Sequence, residues 1–431
     1  MKTLVLGGAV SGRAAALLAR RLGHDVMVFD HNPSVLRLLR EDRLPVTTGT
    51  WTSSLLAGVE LVVTSPGFSE GSAPIRDTQR VGIPLWSELE FAARQLKVPV
   101  VAVTGTNGKT TVTGVIAAML AGSGLKTVAA GNIGTPLAEI VDQDLDIAVV
   151  ETSSFQLRFT EQFHPAGAVI LNVAPDHLDW HGSFNAYLRA KAMIHRNQTG
   201  DDLLVYDADD GGARQAVSGA AARLIPVSGN RLPQGGAGVV GDQLDLGDVV
   251  VPLARIPVAD PAFLVDLAAA GVSALAHGAH PEIVEQIITT FHPDRHRRTL
   301  VGRWNEVDWV DDSKATNPHA AVAAASAYSS VVLIAGGRNK GLDLSGLMAV
   351  PNVKYVVAIG EAAGELEKAA VGTPFHRAGT MPEAVETADR LARPGDTVLL
   401  APGCASFDMF RSYADRGDSF ADAVRLRKEG R

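Results

Sequence analysis

The sequence predicts an α/β protein built from three successive domains. The chain has 431 residues, and at about 150 residues per domain this length suits three domains. Short β-rich runs alternate with Ala- and Leu-rich helical stretches, and this pattern restarts twice along the chain, which is typical of parallel sheets covered by helices. Glycine is frequent, at 43 residues, and aromatic residues make up only 5%, which favours many tight strand-to-helix turns over an all-β sandwich.

The composition excludes several classes of protein. Apolar residues make up 46% and charged residues 20%, as in ordinary globular proteins. The net charge of −8 argues against a dedicated binder of nucleic acid or of membrane surfaces. The single cysteine, Cys404, fits a reducing cytosol. The sequence shows neither a signal peptide nor a long apolar run, so the protein is expected to be cytoplasmic. We also expect a monomer that binds neither nucleic acid nor membrane.

The first segment, residues 1–95, predicts a Rossmann-like domain. A strand at Thr3–Leu6 runs into a glycine-rich turn, Gly7–Gly12, and a helix then leads to a second strand that ends before Asp30. This is a βαβ unit with a nucleotide-fold turn. Against the pattern G-x-G-x-x-G the middle glycine is replaced by Ala9, so a purely structural turn and a dinucleotide-dependent oxidoreductase both remain open here.

The second segment, residues 96–292, carries the strongest motif. The strand Val98–Val103 is followed by a glycine-bearing loop and a helix, an arrangement that aims backbone N–H groups and the helix dipole at phosphate oxygens. Lys109 is placed to reach the β- and γ-phosphates, and the Thr110 hydroxyl to bind Mg²⁺. The loop is shorter than the usual pattern, since its first glycine is Gly105. The sequence therefore predicts a P-loop-type central ATPase domain, and a chance surface turn is the alternative.

Two further residues of this segment follow predicted strands. Glu151 comes directly after the strand 147–150, and His177 follows the strand 168–171. Mg²⁺ prefers oxygen ligands at the carboxyl ends of strands, which suits Glu151, whereas a histidine ligand is less usual. Taken alone, each residue is better explained as a hydrogen-bonded loop residue than as a metal ligand, and Lys191 alone is interpreted as a solvated helix position. Residues 207–255 are poorly periodic and predict loops with short strands such as 248–253.

The third segment, residues 293–431, predicts a Rossmann-like C-terminal domain. Strands at 307–310, 331–335, 353–359 and 397–401 alternate with helices. Small and polar residues follow three of these strands, which suits ligand-binding loops at a sheet edge, although the same residues also cap helices. The side chains there that suit carboxylates or phosphates are Lys314, Thr316, Lys340 and Ser406.

Together these strings resemble the Mur ligase family, the ATP-dependent amide-forming ligases of peptidoglycan precursor synthesis, and most of all its D-glutamate-adding members. The strings that carry the resemblance run in order along the chain: Ser65-Pro66-Gly67, Gly105-Thr106-Asn107-Gly108-Lys109-Thr110-Thr111, Gly131-Asn132-Ile133-Gly134, Glu151-Thr152-Ser153-Ser154-Phe155-Gln156-Leu157, Asp312-Ser313-Lys314-Ala315-Thr316-Asn317 and Ala405-Ser406-Phe407-Asp408.

The resemblance implies substrates, cofactors and residue roles. The small-molecule substrates would be UDP-N-acetylmuramoyl-L-alanine and D-glutamate, and the cofactors ATP and Mg²⁺. The implied substrate-binding residues are Gly12, Asp30, Ser65, Gly67, Asn132 and Ser153, with Thr316, Lys340, Ser406 and Phe407 for D-glutamate. The implied ATP-binding residues are Gly105, Thr106, Asn107, Gly108, Lys109, Thr110, Thr111, Arg297, Asp312 and Lys314. The implied metal ligands are Thr110, Glu151, His177 and Lys191, the last matching a lysine that is carbamylated in this family, and the implied catalytic residues are Lys109, His177 and Lys191.

The implied reaction activates the L-alanyl carboxylate as an acyl phosphate, which the amine of D-glutamate attacks. His177 and a carbamate on Lys191 are both candidates for the base. The sequence departs from the family in the expected adenine region, where Asp260–Asp266 replaces a His-Asn-x-x-Asn string, and at Asn339 and Tyr413, where Asp and Phe are usual. A sibling ligase adding another amino acid, folate polyglutamylation, a nicotinamide oxidoreductase and a non-catalytic nucleotide-binding regulator are the alternatives.

Overall fold

The computed structural model describes residues 1–132 and 134–430, and within these residues the strands form three sheets covered by helices. This confirms the predicted α/β fold class. The chain divides into two compact units, one formed by residues 1–173 and 180–291 and the other by residues 174–179 and 292–431. The domain limits drawn from the sequence stay a prediction. Ile133, inside the string at 131–134, lies outside the described residues.

The N-terminal sheet has the order β3-β2-β1-β4-β5 and is parallel throughout. Its strands are β1 (Lys2–Leu6), β2 (Asp25–Phe29), β3 (Val46–Thr47), β4 (Leu61–Thr64) and β5 (Leu85–Ser87), and its helices α1 (Val10–Arg21), α2 (Pro33–Glu41), α3 (Ala73–Val81) and α4 (Glu88–Ala93). The strand order reverses between β1 and β4, and ligands of such sheets bind outside the carboxyl ends of the strands at that point. The turns after β1 and β4 both lie there, which confirms the predicted Rossmann-like arrangement.

The central sheet has the order β14-β13-β12-β11-β10-β9-β6-β8-β7. Its strands are β6 (Val100–Thr104), β7 (Thr127–Gly131), β8 (Ile147–Glu151), β9 (Gly167–Ile170), β10 (Leu203–Asp207), β11 (Arg223–Ser228), β12 (Ala237–Val240), β13 (Gln243–Asp245) and β14 (Val250–Pro252). Its helices are α5 (Lys109–Gly122), α6 (Leu137–Ile140), α7 (Ser154–Leu157), α8 (Leu178–His181), α9 (Phe184–Ala192), α10 (Gly211–Ala216), α11 (Pro261–Ala276) and α12 (Pro281–Thr290). The pairs from β7 to β12 are parallel, and β13 and β14 add an antiparallel edge.

The stretch 207–255 is more regular than the sequence predicts. The short strand predicted at 248–253 is present as β14, and the stretch contains in addition α10 and the strands β11 to β13, which were predicted only as loops with unspecified short strands. The strand β11 was hidden by Pro226, which is unusual inside a sheet. Pro226 is accommodated because β11 pairs with β10 over Arg223–Val227 but with β12 only at Val227 and Ser228, so the proline lacks a partner strand on its β12 side.

The C-terminal sheet has the order β15-β16-β20-β17-β18-β19, with β15 antiparallel and the other pairs parallel. Its strands are β15 (Thr299–Trp304), β16 (Val307–Asp311), β17 (Val331–Gly336), β18 (Val353–Ile359), β19 (Phe375–Arg377) and β20 (Thr397–Leu400), and its helices α13 (Pro318–Ser326), α14 (Ser345–Met348), α15 (Ala363–Ala369), α16 (Met381–Leu391) and α17 (Tyr413–Glu429). The four predicted strands are present. No helix in the described part of the chain is long and apolar enough to cross a lipid bilayer.

A buried carboxyl group lies in the first unit. Glu88, the first residue of α4, is buried, and its Oε1 accepts the Ala138 N–H at 2.7 Å. Burial raises the pKa of Glu88 to about 7. Between its ordinary pKa of 4.5 and pH 7 the folded protein therefore retains a proton that the unfolded chain has lost, so this group makes stability fall as the pH rises through that window.

We expect Glu88→Gln to raise the free energy of unfolding by about 3 kcal/mol at pH 8 and by less than about 1 kcal/mol at pH 5. A neutral amide removes the cost of ionisation and keeps the acceptor for Ala138. Urea unfolding at the two pH values measures the effect, with Glu282→Gln, an exposed position on α12, as the control. An equal shift at both pH values would contradict the assignment.

Candidate active site

The phosphate loop lies between β6 and α5, as the sequence predicts. Gly108 adopts a left-handed φ of +84°, and a Cβ there would lie 2.5 Å from Oδ1 of Asp266 on α11, so the position requires glycine. Asn172, which follows β9, holds the loop: its carbonyl oxygen accepts the Thr106 N–H at 2.8 Å and its Oδ1 the Asn107 N–H at 2.8 Å. The loop is therefore fixed by the neighbouring strand.

Glu151 connects two other predicted residues at this edge. It ends β8, beside β6, and is 2% exposed. Its Oε2 accepts the Thr110 hydroxyl at 2.9 Å, and its Oε1 accepts the Asn132 amide at 2.8 Å. Thr110 lies in the first turn of α5 and Asn132 follows β7, so neighbouring elements bring these side chains together. The result is an oxygen-rich cluster beside the phosphate loop, and oxygen ligands are those that Mg²⁺ prefers.

Two lysines meet at the loop. Lys109 Nζ donates to the carbonyl oxygens of Gly105 at 2.9 Å and Thr106 at 3.0 Å. Lys191 Nζ, from α9, donates to the same Gly105 oxygen at 2.7 Å. Lys191 is 1% exposed, so its interpretation as a solvated helix residue is wrong. Two ammonium groups on one carbonyl oxygen repel each other, and an anion or a chemical change on one lysine relieves that repulsion.

Tyr187 is a site residue that the sequence analysis missed. It is buried on α9, and its hydroxyl lies 3.0 Å from the Thr106 hydroxyl in the phosphate loop. The Lys191 Nζ lies 4.8 Å from the centre of its ring. The spacing of Tyr187 and Lys191, four residues apart on one helix, was the available signal, since it places both on one face.

The glycine-rich turn after β1 is braced by Asp30. Its Oδ2 accepts the Gly8 N–H at 2.7 Å and its Oδ1 the Asn32 N–H at 2.8 Å. A Cβ at Gly7 would lie 2.2 Å from the Ser65 Oγ, and one at Gly12 would lie 1.7 Å from the Gly7 carbonyl oxygen. The glycines thus allow the turn after β1 to contact the Ser65–Gly67 turn after β4, which brings the predicted residues of this domain together.

Ser153 has a local role besides the predicted one. It caps α7 in a capping box, where its hydroxyl accepts the Gln156 N–H at 3.3 Å and donates to the Gln156 Oε1 at 3.0 Å. The preceding Thr152 N–H donates to the Val103 carbonyl oxygen at 2.8 Å, which holds the start of this turn beside β6, the strand that leads into the phosphate loop.

In the second unit, His177 and Lys340 surround Asp176. The Asp176 Oδ1 lies 3.4 Å from the Lys340 Nζ, and the Asp176 Oδ2 lies 3.6 Å from the His177 Nε2. His177 has a left-handed φ of +52°, which is uncommon outside glycine and is often found at functional sites.

The loops after β16 and β20 carry the remaining predicted residues except Arg297, which lies just before β15. Burial raises the pKa of Asp312 to about 6, and the Arg298 and Arg297 guanidinium groups oppose the rise, so Asp312 and Arg297 share an electrostatic environment. Lys314 Nζ lies 3.6 Å from the Asp294 Oδ2. Thr316 follows it in the same loop. In the loop after β20, Ser406 is buried and Phe407 is 66% exposed, which leaves the aromatic ring available to a ligand.

Arg416 hydrogen-bonds to the loops after β16 and β20, and it is a second residue that the sequence analysis missed. It lies on α17 with 0% exposure, and its guanidinium donates to the Ser313 Oγ and carbonyl oxygen, both at 2.9 Å, and to the Cys404 carbonyl oxygen at 3.1 Å. Burial lowers its pKa to about 10. The charged run Asp415–Asp418 reads as a solvated helix face, so the burial of Arg416 has no clear signal in the sequence.

The described residues contain no group of three or more His, Cys, Asp or Glu side chains arranged to hold a metal ion. A cation at this edge would depend on hydroxyl, amide and phosphate oxygens and on a modified lysine in addition to Glu151.

Comparisons with known proteins find related domains, related full-length sequences and a similar fold. Residues 103–231 match the Mur ligase middle domain, residues 296–404 the Mur ligase glutamate ligase domain, and residues 1–74 the C-terminal domain of alanine dehydrogenase/PNT. The UDP-N-acetylmuramoylalanine–D-glutamate ligase of Desulfosudis oleivorans is 40% identical over 100% of this chain and 97% of its own. The ligase of the same name from Frankia casuarinae is 42% identical over 99% and 94%. The MurF ligase of Thermotoga maritima, solved in complex with ADP, has a similar fold, with a TM-score of 0.58 at 14% identity over 94% of this chain and 95% of that one.

Proposed function

The chain belongs to the Mur ligase family, and we propose that it adds D-glutamate to UDP-N-acetylmuramoyl-L-alanine with conversion of ATP to ADP and phosphate. The observation that carries the proposal is the similarity to D-glutamate ligases at 40–42% identity over essentially the whole chain, which includes the substrate loops of both units. A nicotinamide oxidoreductase would account for residues 1–74 and leave the matched stretches 103–231 and 296–404 without a role.

In the proposed site the phosphate loop holds ATP. The backbone N–H groups at residues 105–108 and the start of α5 face the phosphates, and Lys109 leaves the loop carbonyl oxygens to neutralise the γ-phosphoryl group. Mg²⁺ fits the oxygen cluster of Thr110 and Glu151, with His177 and carbamylated Lys191 as the further proposed ligands. When bound, the ion supplies charge neutralisation on the phosphates.

The proposed reaction has two steps. The L-alanyl carboxylate, a poor electrophile, takes the γ-phosphoryl group of ATP and becomes an acyl phosphate. The amine of D-glutamate then attacks the acyl carbon, and the tetrahedral intermediate expels phosphate. The chain contributes positioning and charge neutralisation, chiefly through Lys109. His177 and the Lys191 carbamate remain the two candidates for the group that takes the ammonium proton.

The two substrates are assigned to different loops. We assign the uridine diphosphate to Gly12, Asp30, Ser65 and Gly67, and the rest of that substrate to Asn132 and Ser153. In the second unit we assign D-glutamate to Thr316, Lys340, Ser406 and Phe407, and the nucleotide to Arg297, Asp312 and Lys314. The exposed Phe407 ring supports this assignment, and so does the buried Arg416, which hydrogen-bonds to the loops after β16 and β20.

Phosphate release in the presence of UDP-N-acetylmuramoyl-L-alanine and each candidate amino acid tests the proposal. We expect D-glutamate to stimulate release at least about a hundredfold over L-glutamate, L-lysine or L-alanine, because the positioned carboxylates of the correct substrate are needed for attack. Stimulation by L-alanine with UDP-N-acetylmuramate, or by L-glutamate with a folate, would instead support a sibling ligase or folate polyglutamylation. ATP binding without release in any combination would support a non-catalytic regulator.

A further inference from the structure

We infer that Trp180 is a positioning residue that sets the span between the Ser65–Gly67 turn and the start of α7. The inference rests on the proposed function, which assigns the diphosphate to that turn and the other end of the same substrate to Ser153. Trp180 itself belongs to neither set of binding residues.

The indole of Trp180 is hydrogen-bonded to the centre of the turn. Its Nε1–H donates to the Pro66 carbonyl oxygen at 3.2 Å. Trp180 lies on α8 of the central domain and Pro66 follows β4 of the N-terminal sheet, so this bond connects the two sheets of the first unit. The other side of the turn is held by Phe68, whose ring lies 6.3 Å from that of Phe29 on β2.

The ring of Trp180 packs against both aromatic residues of the α7 region. Its centre lies 4.8 Å from that of Phe155, inside α7, and 6.2 Å from that of Phe159, just after it. Phe159 is 6% exposed and belongs to the apolar cluster on one face of the N-terminal sheet, with Leu4 and Val62. The indole therefore lies between the turn and the helix that Ser153 caps, and it touches both.

A second link between the same elements is weaker. The Arg158 guanidinium forms a two-pronged ion pair with Glu70, with an Nε to Oε2 distance of 3.0 Å. Both side chains are more than a third exposed, and ion pairs this open to water contribute little. Trp180, half-buried among aromatic rings, is thus the stiffer of the two links.

This geometry matters for a substrate that contacts both ends. A nucleoside diphosphate sugar carrying an aminoacyl carboxylate must place its diphosphate at the turn and its carboxylate beside the phosphate loop. Ser153 lies two residues from Glu151, so a displacement of the turn relative to α7 moves one end of the substrate relative to the oxygen-rich cluster around Glu151. Errors of about 1 Å in such placement are costly for reaction. The affinity of a ligand that contacts only the turn does not depend on the distance between the turn and α7.

Trp180→Phe tests the inference because it removes the N–H donor and keeps an aromatic ring. We expect titration calorimetry to show binding of UDP-N-acetylmuramoyl-L-alanine weakened about three- to tenfold, the range of one hydrogen bond. Binding of UDP alone and of ADP should change less than about twofold. The matched control is Trp51→Phe: Trp51 packs on the same apolar cluster and donates its indole N–H to Asp77 at 2.9 Å. That variant should bind all three ligands as the unchanged protein does.

Each of the other possible outcomes contradicts either the inference or the proposed function. Unchanged binding of the whole substrate by Trp180→Phe overturns the inference, and so does an equal loss for UDP alone, which would mean that the turn is merely loosened. A similar loss in Trp51→Phe would assign the effect to the core. If the unsubstituted protein fails to bind UDP-N-acetylmuramoyl-L-alanine while still binding ADP, the proposed function fails instead, and the two failures are thereby distinguished.

Discussion

Lys109→Ala is expected to lower the rate of phosphate release by about a thousandfold or more without unfolding the protein. In the structure the ammonium group lies over the loop, bonded to the carbonyl oxygens of Gly105 and Thr106, at the place where the γ-phosphoryl group is proposed to bind. Charge that develops during phosphoryl transfer is stabilised most by a preorganised cation of this kind. Steady-state phosphate release at saturating substrates measures the effect.

The control for this variant is Lys97→Ala, which removes an exposed lysine just before β6. It should retain full activity. The melting temperature of Lys109→Ala should stay close to that of the unsubstituted protein, because the Gly105 carbonyl oxygen keeps its bond from Lys191. A folded Lys109→Ala protein with near-normal turnover would remove the phosphate loop from the mechanism.

The elements that could be predicted from sequence are those with local signals. The strands β1 and β18 lie where the apolar runs predict them, at Lys2–Leu6 and Val353–Ile359, because both are mostly buried and each is followed by a glycine at a turn. The strand β11 was missed because its polar ends and Pro226 break the apolar pattern, and it is a strand because it pairs with β10 and β12. Pairing of that kind is decided by residues distant in sequence, which a local pattern does not contain.

The same distinction separates the site residues. Lys109, Thr110 and Glu151 follow the carboxyl ends of parallel strands, so topology alone brings them to one edge. Lys191 could be proposed only from a family resemblance, since its burial depends on α9 packing over the phosphate loop. Arg416 and Trp180 donate to the carbonyl oxygens of Ser313 and Pro66, which lie far away in the sequence, and a backbone acceptor leaves no trace in the sequence.

Lys191→Ala is expected to be nearly inactive, and short carboxylates are expected to restore part of the activity. Lys191 is buried beside Lys109, and both donate to the Gly105 carbonyl oxygen. As an ammonium group it repels its neighbour, whereas a carbamate on the same side chain would attract Lys109 and offer oxygen ligands to Mg²⁺. Removing the side chain leaves a cavity in which acetate or propionate can supply that negative charge.

Lys109→Ala provides the matched control for this rescue, because it removes the other lysine from the same carbonyl oxygen. Added acetate should raise the phosphate release of Lys191→Ala at least about tenfold, as expected when a missing charged group is replaced, while chloride at equal ionic strength should have no effect. Lys109→Ala should respond to neither anion, since it lacks a cation and retains Lys191. Equal stimulation of both variants by acetate would identify a general salt effect. Full activity of Lys191→Ala without added acetate would contradict the prediction. It would show that the buried lysine contributes to the fold and not to the reaction.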